Sequence, residues 1–493
     1  MKERSNNPSN PINPMFFKYK ATYRLQWLFA LAFMVVVGVP SVFAQADKEL
    51  KINKQFTGKH IVEVNHLHGD LEVRASNDNA VKVNIVFSVE AESEEEAKKV
   101  LDHLKMEFQE SGDRLTINTK FDAKSWNTNN GITSIEFKDG ATVRNLENIE
   151  LFFTLYVPKL DQLILANKYD DIRIEDDLTT DLTVKLNSGV LQAENVKGDI
   201  VLEGKYSKMK MKNIAGNAKV NLYDTDAEIG NSKSVNISSK YSGVTLGDVT
   251  EITYDSYDDN VKIGTNSGAL ALTSKYSEFV IVGATKATIK SYDDVIDLGD
   301  IKGTIGIETM YSNFRVGSFT SGRISSNDDV FIMEGGEKAD LKVNSKYSEF
   351  KLNKLNNIDF ESSYDDQLDI NQLGSLTTNS KYGEYTINKL EKNIAFVSMD
   401  DNLKVREVGS GFTGATLSGK YSTFELNLPS GLKYQLDVTL THGKIIYPEN
   451  NFEYGVHIEK GSSKEIKGKI KGASDGSPKI VVQEAYDCQV YLK

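Results

Sequence analysis

A repeat constrains this chain more than any other feature. Lys205-Tyr206-Ser207 returns as Lys240-Tyr241-Ser242, Lys275-Tyr276-Ser277, Met310-Tyr311-Ser312, Lys346-Tyr347-Ser348, Lys381-Tyr382-Gly383 and Lys420-Tyr421-Ser422, in steps of 35, 35, 35, 36, 35 and 39 residues. Between these copies sits a second motif: Tyr257-Asp258-Asp259, Tyr292-Asp293-Asp294, Asn327-Asp328-Asp329, Tyr364-Asp365-Asp366 and Met399-Asp400-Asp401. Tyr223-Asp224 is a weaker copy, Lys168-Tyr169-Asp170-Asp171 mixes both motifs, and Asn187-Ser188-Gly189 fills the remaining slot. The motifs alternate, so one structural unit spans 17–18 residues. That leaves room for two short strands and two bends, and none for a helix.

Each motif is followed by apolar residues two apart. After Lys-Tyr-Ser they are Phe279/Ile281, Phe314/Val316, Phe350/Leu352, Tyr385/Ile387 and Phe424/Leu426. After Tyr-Asp-Asp they are Val261/Ile263, Ile296/Leu298, Phe331/Met333, Leu368/Ile370 and Leu403/Val405. Period two is the strand period. The pattern therefore predicts an all-β chain: a parallel β-solenoid (β-helix) of about 17–18 residues per rung, preceded by an N-terminal β segment with one short helix. Fifteen rung corners run from residue 169 to 421, and twelve hold Tyr, with Ser188, Asn327 and Met399 as the exceptions. This accounts for more than half of the 22 tyrosines.

Spacing also sets the register. Tyr241, Tyr257, Tyr276, Tyr292 and Tyr311 step by 16, 19, 16 and 19, whereas Val244, Val261, Phe279, Ile296 and Phe314 step by 17, 18, 17 and 18. Core residues must stack, so they hold the register. The motifs are then offset by one residue. Lys275 shares a column with Tyr292, Tyr276 with Asp293, and Ser277 with Asp294. With rungs ~4.8 Å apart, this offset avoids a continuous column of like charge. It predicts Lys beside tyrosine rings, with cation–π contact, and Asp one column over for pairing.

The expected layout is a signal peptide at 1–44, an N-terminal β/helix cap at 45–160, the solenoid at 161–430 and a C-terminal β cap at 431–493. In the N-terminal cap, Ser93 and Glu96 form a capping box ahead of the apolar stripe Ala97, Val100, Leu101 and Leu104. The polar, Asn/Thr-rich stretch 122–139 reads as a loop, and residues 432–493 read as having lost the tyrosine motif. The leader combines Lys18, Lys20 and Arg24 with an apolar run from Trp27 to Val39, and Pro40, Ser41 and Ala44 follow it. This is a secretory signal layout, too short for a ~20-residue span, and Met15 is an alternative start. An exported chain is expected: periplasmic, on the outer surface or extracellular, with no stable membrane span after cleavage. Formal net charge is −12; five Lys/Arg and one Glu lie in 1–44, so the remainder carries −16. Nucleic acid is not an expected partner. A single cysteine, Cys488, excludes an internal disulfide framework.

The strand–helix–strand segment, the Val157-Pro158 lead-in and the short rungs with Gly/Asp corners resemble the bacterial putative-adhesin families of unknown function. The resemblance covers most of residues 50–493. It implies an exported, non-catalytic parallel β-helix protein of the envelope or surface, with a cell-adhesion role. The regular alternation of the two motifs is not something the family implies.

Three chemistries are open to the repeated residues and the histidines. Paired Asp residues suit a polysaccharide-cleaving β-helix enzyme, but they recur in nearly every second rung, whereas a catalytic site is a local exception. The same pairs offer oxygens to calcium as an accessory ion, but Lys competes and the Gly-Gly-x-Gly-x-Asp repeat is absent, so no cofactor is expected. His66 and His68, with His60 nearby, have a zinc-compatible spacing but no third ligand, and His442 and His457 are isolated. The remaining chemistry is recognition. The candidate binding residues are Tyr241, Tyr257, Asp258, Asp259, Lys275, Tyr276, Tyr292, Asp293, Asp294, Tyr311, Lys346, Tyr347, Tyr364, Asp365 and Asp366, engaging a surface polysaccharide or an envelope protein. An alternative is an envelope sensor or assembly factor that binds a protein through its N-terminal segment.

Overall fold

The computed structural model describes residues 46–493; the leader read as a signal peptide lies outside the described residues. Of the described residues 72% are strand and 3% helix, built as a parallel β-solenoid. Each rung runs through a strand of a first sheet, turns at the motif corner, and continues as a strand of a second sheet. The strand Val295–Ile301 shows why these residues form strands: Ile296, Leu298 and Ile301 point inward and the residues between face outward.

Stacking is residue on residue. In the first sheet, Lys240 pairs with Tyr257, Tyr257 with Lys275, Lys275 with Tyr292 and Lys346 with Tyr364. The expected one-residue offset is therefore present. Phe279, Ile296, Phe314, Phe331 and Phe350 form one inward column of the second sheet. Phe314, Phe331 and Phe350 stack nearly parallel, with ring centroids 5.2 and 5.0 Å apart. This interior is apolar and continuous. At ~25 cal/mol per Å² of apolar area buried, it carries most of the stability.

The bend opposite the motif is held by an amide ladder. The Oδ1 of Asn195 accepts from the backbone and side-chain nitrogens of Asn213, Asn213 Oδ1 accepts from Asn231 N, and Asn231 Oδ1 accepts from Asp248 N. Backbones approach closely here. A Cβ added to Gly299 would lie 1.9 Å from the carbonyl oxygen of Val282, so only glycine fits.

Both ends depart from simple winding. Near the N-terminus the first rung is Ile61–Leu67 and Asp70–Ala75; the chain then leaves and returns at Gln162–Lys168, which pairs with Ile61–Leu67. The excursion pairs that rung's open edges, with Arg114–Phe121 running parallel to Ile61–Leu67 and Asn148–Val157 parallel to Asp70–Ala75. Ala80–Ala91 is antiparallel both to Asn148–Val157 and to Ala46–Thr57, which precedes the rung, and the helix Glu94–Asp102 follows Ala80–Ala91. Ser93 caps that helix, its Oγ accepting from Glu96 N at 3.2 Å, as the capping box predicts. The stretch 122–139 is not a loop. It forms the hairpin Ala123–Asn129 and Ile132–Phe137, because Asn130 and Gly131 both take positive φ, as a two-residue hairpin turn requires.

The C-terminal end holds a larger correction. Gly414–Lys420 pairs with Lys479–Tyr486, and Lys479–Tyr486 with Gln435–Thr441. The last residues of the chain thus form a rung wedged between two rungs made earlier. The tyrosine motif is not lost beyond residue 432: Tyr486 pairs with Lys420, and Tyr486-Asp487-Cys488 is one more motif corner. Among the described residues no helix is long and apolar enough to cross a membrane.

Candidate functional site

The motif corner runs the length of the solenoid and is made of three adjacent columns. The first ends the first-sheet strand and alternates Lys with Tyr. The second is the bend itself and alternates Tyr with Asp. Every bend residue from Tyr169 to Tyr421 has positive φ, as do His68, His442 and Asp487, giving eighteen such corners among the described residues. Asp and Asn tolerate this left-handed conformation, but for tyrosine it costs about 1–2 kcal/mol. Eight tyrosines accept that cost: Tyr169, Tyr206, Tyr241, Tyr276, Tyr311, Tyr347, Tyr382 and Tyr421.

A ring ladder offsets the strain. Tyr206, Tyr223, Tyr241, Tyr257, Tyr276, Tyr292 and Tyr311 form an unbroken herringbone, with centroids 5.5–5.7 Å apart and planes at 77–89°. Asn327 interrupts it, and Tyr347, Tyr364 and Tyr382 resume it. Such edge-to-face pairs are worth about 0.5–1.5 kcal/mol each. An interior ring has two, which roughly balances its backbone cost. Separate ring clusters lie beyond its two ends: His68 stacks between Tyr169 and Trp126 at 5.0 and 5.3 Å, and Tyr486 lies between Tyr421 and His442 at 5.8 and 5.2 Å. Burial and the nearby Lys168 hold His68 below its usual range.

The third column is buried, and its residues alternate between Ser and Asp. Asp294 Oδ1 accepts from Ser277 N at 2.7 Å and from Ser274 Oγ at 3.0 Å; its Oδ2 accepts from Ser291 Oγ at 2.8 Å and from Tyr292 N at 3.1 Å. Its own amide donates to Ser312 Oγ at 3.1 Å. Ser312 N donates to Asp329 Oδ1 at 2.7 Å, Asp329 N donates to Ser348 Oγ at 3.3 Å, and Ser348 N donates to Asp366 Oδ1 at 2.9 Å. Burial raises these carboxyls above the usual range, Asp329 to about 6, against the hydrogen bonds that favour the ionised form.

The fifteen candidate residues therefore divide. Asp259, Asp294 and Asp366 lie inside and bind the corner together. The tyrosines, Asp258, Asp293, Asp365, Lys275 and Lys346 lie at the corner's outer surface, where Tyr241, Tyr276, Asp258, Asp293, Glu278 and Val295 line a groove of about 690 Å³. Lys240 and Lys275 stand 5.8 and 6.0 Å from the rings of Tyr257 and Tyr292, as expected. The expected Lys–Asp pairing is not made: among the described residues, neither the corner lysines nor the bend aspartates form an ion pair.

Sequence reasoning missed the serine that precedes most of the motifs. Ser239, Ser256, Ser274, Ser291, Ser326, Ser345, Ser363, Ser380 and Ser398 are buried; several of them, Ser256, Ser291 and Ser363 included, donate to the Asp carboxylates. The regular Ser-Lys-Tyr-Ser and Ser-Tyr-Asp-Asp spelling was its signal. The zinc spacing of His66 and His68 yields no common site. His66 points inward, donating to or accepting from Thr119 Oγ1 at 3.0 Å, while His68 stacks on Tyr169. Among the described residues no group of His, Cys, Asp or Glu is placed to hold a metal.

No family model and no curated protein matches the chain. Solved bacterial structures do. A putative cell adhesion protein from Clostridium sporogenes is 11% identical over 44% of this chain and 99% of its own, with a TM-score of 0.23. A putative adhesin from Parabacteroides distasonis is 12% identical over 62% of this chain and 97% of its own, at 0.25. A putative adhesin from Bacteroides fragilis is 11% identical over 62% and 96%, at 0.19. The group of proteins the sequence resembles is thus represented among its structural neighbours.

Proposed function

We propose that this chain is an exported, non-catalytic β-solenoid that acts as an adhesin-like surface protein or scaffold and binds through its tyrosine corner. One observation carries the reading: tyrosine, not glycine or asparagine, occupies eight left-handed bends and stays 41–56% exposed there. A bend needed only for winding is met more cheaply by Gly or Asn. Exposed rings at a fixed repeat, flanked by Lys and Asp, suit a repetitive surface such as a polysaccharide or a regular protein face.

The carboxylates that suit hydrolytic catalysis, Asp259, Asp294 and Asp366, are engaged by backbone amides and serine hydroxyls, which argues for the binding reading over the enzymatic one. The test replaces Tyr276, Tyr311 and Tyr347 together by Ser and measures cell and glycan adhesion alongside the unfolding midpoint. Loss of adhesion with the fold retained supports the corner. Unchanged adhesion by the folded variant removes it from the mechanism.

A further inference from the structure

The corner's charges are segregated. Lys240, Lys275, Lys346, Lys381 and Lys420 all leave from the last residue of a first-sheet strand, whereas Asp258, Asp293, Asp328, Asp365 and Asp400 all leave from the bend. Two parallel rows result, one basic and one acidic, with the tyrosine herringbone running through both. Charges within a row recur every second rung, about 10 Å apart, except where Met310 leaves a four-rung gap in the basic row between Lys275 and Lys346. Among the described residues none of them is neutralised within the chain.

Such a ribbon is complementary to itself in only one orientation. A two-fold axis parallel to the solenoid exchanges left and right, so the lysine row of each copy faces the aspartate row of the other. A two-fold axis across the solenoid sets lysine against lysine. We propose that the tyrosine corner is the interface of a homodimer in which two solenoids lie side by side and parallel. This rests on the reading of the corner as a binding surface and names its occupant as a second copy of the chain.

Two observations support the fit. The groove between Tyr241 and Val295 is lined by Asp226, Asp258, Asp293 and Glu278, so it is an acidic recess for the partner's lysines. The ribbon from Tyr206 to Asp487 spans about 60 Å at ~4.8 Å per rung. Three columns at ~3.3 Å per residue make it about 10 Å wide, roughly 600 Å² per copy, at the lower end of standard interfaces, which bury ~800 Å² per partner. A parallel pair points the same way, so the contact clusters copies on one surface and does not bridge two.

Charge reversal tests this. One variant carries Lys240→Glu, Lys275→Glu and Lys346→Glu; the other carries Asp258→Lys, Asp293→Lys and Asp365→Lys. All six sites are exposed, and circular dichroism checks that each variant folds. Sedimentation equilibrium of the chain lacking its leader, at low salt, should show a dimer that weakens as salt rises. Each variant alone should associate at least tenfold more weakly, and an equimolar mixture should restore a heterodimer, because opposite rows again face each other. A wild-type monomer at ~100 μM and low salt, or reversal variants that dimerise as well as wild type, overturns the proposal. A monomer that still adheres through its tyrosines overturns the dimer alone. A dimer without tyrosine-dependent adhesion overturns the adhesive reading and leaves this one.

Discussion

Asp294→Ala probes the buried ladder most directly. The substitution removes a carboxylate that satisfies four donors: Ser277 N, Ser274 Oγ, Ser291 Oγ and Tyr292 N. Hydroxyls can rotate to other acceptors; Ser291 already has Ser312 Oγ at 2.8 Å. The two backbone amides cannot rotate. Each buried donor left unpaired costs about 1–3 kcal/mol, so the loss is about 2–6 kcal/mol. Asp294→Asn keeps one oxygen but turns an amide NH₂ toward a second donor, and should cost about half as much. The control is Asp293→Ala, one residue earlier and exposed, where about 1 kcal/mol of left-handed preference is lost. Solenoids unfold by neighbour-coupled units, so the assay is native-state amide exchange over residues 274–312 together with thermal unfolding. In decreasing order of damage, the expected series is Asp294→Ala, then Asp294→Asn, then Asp293→Ala. Equal effects of Asp294→Ala and Asp293→Ala would refute the ladder as a structural element.

Three further outcomes follow from the same geometry. Asp329 has a folded-state value near 6 against 3.8 unfolded, so its contribution is fully present below about pH 4 and is lost as pH rises through 6. Asp329→Asn should flatten the fall of the unfolding midpoint between pH 4 and 6, by up to about 3 kcal/mol for this group; an unchanged slope contradicts the assignment. At Tyr347, which is left-handed and touches the ring of Tyr364, Gly should be about 1 kcal/mol less damaging than Ala, read from urea unfolding. Cys488 occupies the Ser/Asp column with its thiol 3.2 Å from Gly419 O, and burial raises its pKa. Cys488→Ser should be tolerated within about 1 kcal/mol, and the native thiol should resist a thiol reagent until the chain unfolds.

Much of the fold was legible because its information is local and repeated. Period-two apolar residues give strands, and the 17/18 spacing of Val244 to Phe314 gives the register that strand pairing then shows. The candidate site was legible as a column of tyrosines, not as an arrangement. Charge alternation in the sequence suggested that Lys and Asp neutralise each other, but side-chain direction at a left-handed bend decides whether neighbours in the chain can meet. Similarly, both Asp residues of each pair stood as candidate binding residues; only the bend's geometry sends the second inside and leaves the first in water.

The sequence by itself determined the unit: a rung of 17–18 residues, a strand on either side of a Tyr-bearing corner, and cores that must stack. These follow from the period of hydrophobicity, which a chain carries wherever it goes. Tertiary structure alone decided which rungs are neighbours at the ends. Ile61–Leu67 and Gln162–Lys168 are adjacent across an intervening cap, and the last strands of the chain slot between two rungs completed before them. Spacing along the chain cannot encode that adjacency. It arises because an open rung edge must be paired with whichever segment has the matching inward column, however far away that segment lies in sequence.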